Sequence, residues 1–105
     1  MKTYRVNITD RALADMESIY DYIATVLKQP NTAMKQYNRI ADAILGLDVF
    51  PMRNAVLESG PEKAMGLRQQ LIDNYSAFYT VGEDTVTVLR VLYSSSDIKS
   101  RLREG

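Results

Sequence analysis

Two apolar stripes at helical spacing, set end to end with one proline turn between them, leave this chain few ways to fold. The first runs Leu13, Met16, Tyr20, Ile23, Leu27 and the second Ala33, Tyr37, Ile40, Ile44, Leu47, each stepping by three and four residues. That spacing puts every member of a stripe on one face of an α-helix. Thr9 or Asp10 supplies a cap for the first helix, and Asp10, Asp15 and Glu17 lie toward its positive end, where carboxylates are favoured. Pro30 disfavours helical geometry in the residue before it, so the first helix should stop near Lys28. The second starts at Asn31 or Thr32 and ends at Phe50-Pro51. Matched stripes on a short connection predict an antiparallel helical hairpin, which must then be covered by another layer.

The covering layer is legible in the flanks. Tyr4, Val6 and Ile8 alternate with Arg5 and Asn7, the pattern of a half-buried strand. Residues 52–66, with Asn54, Gly60, Pro61 and Gly66, read as a surface loop enclosing a short extended piece at Ala55-Val56-Leu57. Three strands follow: Gly66 to Ile72, the weakest, with Asp73-Asn74 as turn residues; aromatic Tyr75 to Val81; and β-branched Thr85 to Tyr93 after Gly82-Glu83-Asp84. Ser94-Ser95-Ser96-Asp97 then caps a short terminal helix carrying Lys99, Arg101 and Arg103. The order β-α-α-β-β-β predicts one α+β domain over residues 1–105, with the hairpin laid on a small antiparallel-rich sheet.

Composition restricts the chemistry. Histidine and cysteine are both absent, which removes disulfides, thiolate and imidazole metal ligands, a thiol nucleophile and the commonest general base. No metal site and no cofactor are expected. Thirteen basic residues balance thirteen acidic ones, so the chain lacks the basic surplus of a protein that grips nucleic acid unaided. No apolar run reaches the ~18 residues of a membrane span, and the first residues read as a strand rather than a signal peptide. A cytoplasmic location fits this pattern.

Several phrases, taken in order, resemble the RelE/ParE toxin superfamily of type II toxin–antitoxin systems. They are Ile19-Tyr20-Asp21-Tyr22-Ile23, Leu47 through Phe50-Pro51, Gly66-Leu67-Arg68, Asn74 through Val81, and Val88-Leu89-Arg90-Val91-Leu92-Tyr93 followed by Asp97-Ile98. Each phrase is mostly hydrophobic patterning; the ordered set carries the specificity. The resemblance implies a RelE-like fold and a growth inhibitor with a cognate antitoxin as standing partner. It offers two targets. ParE-like members poison DNA gyrase, whereas RelE-like members cut mRNA in the ribosome with Arg, Lys and a Tyr or His. Those side chains activate the ribose hydroxyl and stabilise the charged transition state.

If the chain is a ribonuclease, the candidate catalytic residues are Arg68, Arg90, Tyr93, Lys99 and Arg101. Ser76 stands where such nucleases commonly carry Arg, and Ser94-Ser95-Ser96 where they carry further basic groups. With those cations missing, the chain reads closer to the ParE-like members, and whether it is an enzyme stays open. Arg68, Arg90, Tyr93 and Arg101 are then candidates for contact with target or antitoxin, Arg68 and Arg90 from one sheet face. Bland roles compete with each. Arg68 can bridge to Asp73 or Glu58; Arg90, by alternation on the face of Val86, Val88 and Leu92, can pair with Asp97 or Asp73. Tyr93 can simply pack, and Asp97 can simply cap. An inactive fold relative acting as a binding module is the third reading.

Overall fold

Where the first strand ends, Thr9 turns the chain into a helix. Its hydroxyl accepts the Ala12 amide at 3.1 Å, which makes Thr9 rather than Asp10 the cap. The computed structural model describes residues 2–94 and 97–103. In it β1 (Arg5–Ile8) leads into α1 (Asp10–Asp21), which widens into a π-helical turn over Tyr22–Val26. Lys28 then adopts a left-handed backbone (φ 55°) and reverses the chain. α2 (Pro30–Leu45) starts on the proline itself, ahead of the expected Asn31 or Thr32. Proline suits the first helical position because no hydrogen bond is asked of its nitrogen there.

The second stripe is placed as its spacing predicts: Ala33, Ile40, Ile44 and Leu47 are fully buried and Tyr37 is half-buried. The first stripe needs correction. Ala12, Met16 and Ile23 form the buried line, while Leu13 and Leu27 are exposed. The π turn inserts a residue, and one residue is a rotation of about 100°, enough to carry Leu27 off the seam.

Short 3₁₀ turns at Gly46–Asp48 and Pro51–Arg53 follow α2. The segment expected to be loop also contains a short helix, α3 (Gly60–Ala64), begun by Gly60-Pro61; Val56 makes the isolated extended bridge, to Arg68. Then come β2 (Arg68–Ile72), β3 (Tyr75–Val81), β4 (Thr85–Tyr93) and α4 (Ile98–Arg103). Of the serines proposed as a cap, Ser95 and Ser96 lie outside the described residues; Asp97 accepts the Ser100 amide at 3.4 Å.

The sheet runs β1-β4-β3-β2, with β1 parallel to β4 and the other pairs antiparallel. On one face α1 and α2 bury Met16, Ile40, Ile44 and Leu47 against Ile72, Ala77, Tyr79, Val86, Val88 and Val91. On the other, Leu67, Phe78 and Leu92 are covered by Leu57, Leu89, Ile98 and Leu102. Pairing between β3 and β4 slips once: Tyr79 faces Val88 but Phe78 faces Arg90, so Leu89 is skipped as a bulge. The slip corrects the alternation argument for Arg90. Residues directly across a sheet share a face, so Arg90 goes with Phe78 and Leu92, away from Val86 and Val88. Arg68, opposite Tyr79, points to the helical side. The expected single sheet face bearing Arg68 and Arg90 does not exist.

Candidate functional site

β1 is shorter than its partner. It pairs with β4 only from Thr85 to Val88, and β4 continues to Tyr93 without it. α1 lies along the vacated edge. Thr9 joins the two, its amide donating to the Val88 carbonyl (3.1 Å) and its hydroxyl to that of Leu89 (3.2 Å). Six residues on, Asp15 accepts the Val91 amide at 3.0 Å and holds Arg90 through Nε (2.7 Å) and Nη2 (3.1 Å). The pair is largely buried, its side chains 9% and 14% exposed. This replaces the expected partners of Arg90: Asp97 caps α4, and Asp73 pairs with Arg39 at 2.7 Å. Nη1 of Arg90 also donates to the Arg101 carbonyl at 3.1 Å, tying α4 to the strand.

Beyond Asp15 the helix and strand diverge and leave an open groove of about 730 Å³. Tyr22 and Leu27 from the two ends of the π turn, Tyr75 and Tyr93 from the ends of β3 and β4, and Arg101 from α4 line it. Tyr75 and Tyr93 are cross-strand partners with rings 5.7 Å apart at 64°. Burial, with Tyr93 and Tyr22 close by, pushes the Tyr75 hydroxyl above its usual range, so it stays protonated and can donate. Arg101 makes no ion pair among the described residues. The groove is thus aromatic, with a neutralised carboxylate at its base and a single guanidinium at its rim, suited to an apolar segment with an acidic neighbour.

The candidate catalytic residues do not gather. Tyr93 and Arg101 line the groove, and Arg90 lies below it, bound to Asp15. Lys99 turns the other way, donating to Ser59 beside α3. Arg68 shares the helical face of the sheet with Tyr93 but lies two strands away on β2, bonded to the carbonyls of Asn54 (2.5 Å) and Met52 (3.3 Å) instead of the expected Asp73 or Glu58. Ser76 is fully buried, its hydroxyl 2.9 Å from Gln69 Nε2 and 2.8 Å from Ser94 Oγ. Among the described residues no cluster of His, Cys, Asp and Glu could hold a metal ion.

Sequence reasoning missed Asp15 and Tyr22. A signal for Asp15 was present: it lies three residues after Ala12 and four before Ile19, beside the buried line of α1. A carboxylate at such a position needs a buried partner. Tyr22 reaches the groove from the π turn, which periodicity does not mark.

Residues 6–98 match the family model of the ParE toxin of type II toxin–antitoxin systems, parDE. Among solved structures, the chain is similar to one from a chromosomal ParDE toxin–antitoxin system of P. aeruginosa (24% identity, 87% of this chain and 96% of that one, TM-score 0.72). It is also similar to one from the RelBE2 complex of Mycobacterium tuberculosis (20%, 89% and 93%, TM-score 0.64). A third similarity is to one from the archaeal RelE–RelB complex of Pyrococcus horikoshii (16%, 90% and 98%, TM-score 0.61). Comparison with curated proteins returned no match.

Proposed function

We propose that this chain, which belongs to the ParE toxin family of type II toxin–antitoxin systems, inhibits growth by docking on DNA gyrase and does not cut RNA. The observation that carries this reading is the pairing of Arg90 with Asp15. A guanidinium already closed on a carboxylate is a poor stabiliser of a charged phosphorane. Arg68, on the other side of the sheet from Arg90 and held by loop carbonyls, and a buried Ser76 support the same conclusion. Binding, by contrast, needs only a shaped surface, and the groove beside α1 provides one.

The same groove is the surface a cognate antitoxin would cover. An amphipathic segment would seat apolar anchors against Tyr22, Leu27 and Tyr93 and an acidic side chain on Arg101. Apolar anchors supply most of the affinity in such an arrangement, since an exposed ion pair contributes only ~0–1 kcal/mol. The solved relatives are described as toxin–antitoxin systems and complexes, which supports a partner of this kind. Gyrase as target places the action in the cytoplasm; no described helix is long and apolar enough to cross a membrane.

The test is induced expression with two readouts, and the purified protein added to gyrase. Expected are gyrase-dependent DNA breaks and inhibited supercoiling, with cell-free translation unaffected. Arg101→Glu or Tyr93→Ala should weaken the inhibition. Cleavage of ribosome-bound mRNA with gyrase untouched would overturn this reading in favour of the ribosomal target.

A further inference from the structure

Phe50 combines two features that a folded chain normally avoids. Its backbone is left-handed (φ 49°, ψ 52°), which is disfavoured for a residue with a Cβ. Its large aromatic side chain is 66% exposed, and its neighbour Met52 is 55% exposed. A strained residue persists only where its surroundings leave no alternative. Here side chains hold the carbonyls on both sides of it. Arg53 Nη1 donates to Val49 (2.7 Å) and Phe50 (3.3 Å), and the buried Tyr79 hydroxyl donates to Pro51 (2.6 Å). Arg68 holds Met52 and Asn54. The loop is a fixed mount for two exposed apolar side chains.

A shallow groove of about 380 Å³ runs beside the mount, lined by Lys2, Tyr4, Phe50, Pro51, Met52 and Arg53, which include two cations and no carboxylate. The Lys2 ammonium donates to the Glu83 carbonyl and lies 4.9 Å from the centre of the Tyr4 ring. Among the described residues, Lys2, Arg53 and Arg68 form no ion pair. This face is also remote from the tyrosine groove. Arg5, next to Tyr4, pairs with Thr85 at one end of β4, and Tyr93 ends the other. At ~3.3 Å per residue the two lie roughly 26 Å apart along the strand.

We propose that this face is a second docking surface, one that takes an acidic peptide segment of a protein partner bearing a large apolar side chain. The apolar group would pack on Phe50 and Met52 while its carboxylates meet Lys2 and Arg53. Charge complementarity selects this occupant. The same face of a second copy, meeting it about a two-fold axis, would bring cations against cations. A nucleic acid gains affinity from many phosphate contacts, and the two cations lining this groove supply few of them.

Because the chain contains no tryptophan, a short probe peptide of glutamates and alanines around one tryptophan reports binding by its own fluorescence. Titrated with the full chain, it should bind more tightly than the same peptide with lysines for glutamates. Phe50→Gly should keep or raise the melting temperature, because glycine accepts the left-handed backbone, yet weaken binding at least about tenfold. Lys2→Glu and Met52→Ser should also weaken it, while Tyr93→Ala should not. Unchanged affinity in both Phe50→Gly and Met52→Ser, equal binding of the lysine peptide, or loss confined to Tyr93→Ala would overturn the proposal. So would a dimer in sedimentation, or tighter binding of a DNA oligonucleotide, if Phe50→Gly abolished it.

Discussion

Asp15 and Arg90 stand 75 positions apart in sequence and meet through paired hydrogen bonds of 2.7 and 3.1 Å. The carboxylate accepts a third, from the amide of Val91. Removing one member of such a pair strands a buried charge, which typically costs about 3–5 kcal/mol. Asp15→Ala should therefore destabilise the protein by that order in chemical denaturation. The double variant Asp15→Leu with Arg90→Met should recover much of the loss, since neither charge remains. A single variant as stable as the parent would show that the pair is not closed in solution.

The helical hairpin offers a simpler test. Ile40 and Ile44 are fully buried between α2 and the sheet. Ile44→Ala should cost about 2–5 kcal/mol, the usual range when a large core side chain is deleted and its cavity only partly closes. Unchanged thermal melting would contradict the packing described here.

Acid should act through Glu62. Its carboxyl is buried in α3 and held below the usual carboxylate range, chiefly by the hydrogen bond from Arg103, with burial opposing. A depressed folded-state value means that the charged form stabilises the fold above the unfolded value. That contribution is lost as pH falls from the ordinary carboxylate range through the lower folded value. Glu62→Gln should thus be less stable than the parent at neutral pH, and the difference should close on acidification. A difference that persists at low pH would assign the effect to shape rather than to charge.

Arg68 should prove a structural clamp. Replacing it with Met removes the donor to the Met52 and Asn54 carbonyls. Amide exchange should quicken across residues 50–57 and stay slow in α2. Uniform protection in the variant would mean that Tyr79 and Arg53 suffice to hold the loop.

What could be read in advance depended on whether each signal had a single physical meaning. The stripe Ala33 to Leu47 did, because only a helix brings those positions together, and it is buried throughout apart from the half-covered Tyr37. Asp15 did not: a carboxylate near a helix start is equally explained by the helix dipole. The slip at Leu89 was unreadable for a different reason. Thr85–Tyr93 packs apolar residues on both faces of the sheet, so its composition does not mark which side each residue takes. Arg68 and Arg90 were accordingly grouped on one face. Of the site, Tyr93 and Arg101 were visible as candidates, but the groove they line comes from β1 ending four residues into its pairing, a length that no motif announces.

The brevity of β1 has a consequence for how the molecule behaves among its own copies. An apolar strand that outruns its neighbour exposes amides and carbonyls on which another extended chain can assemble, the usual start of fibrous or amorphous association. Over Leu89–Val91 that invitation is withdrawn from within: Thr9 occupies the Leu89 carbonyl, Asp15 occupies the Val91 amide, and α1 lies alongside. The carboxylate at Asp15 thereby acts as a gatekeeper. It leaves side chains open to a partner at the end of the strand while denying a foreign backbone the hydrogen bonds needed to extend the sheet.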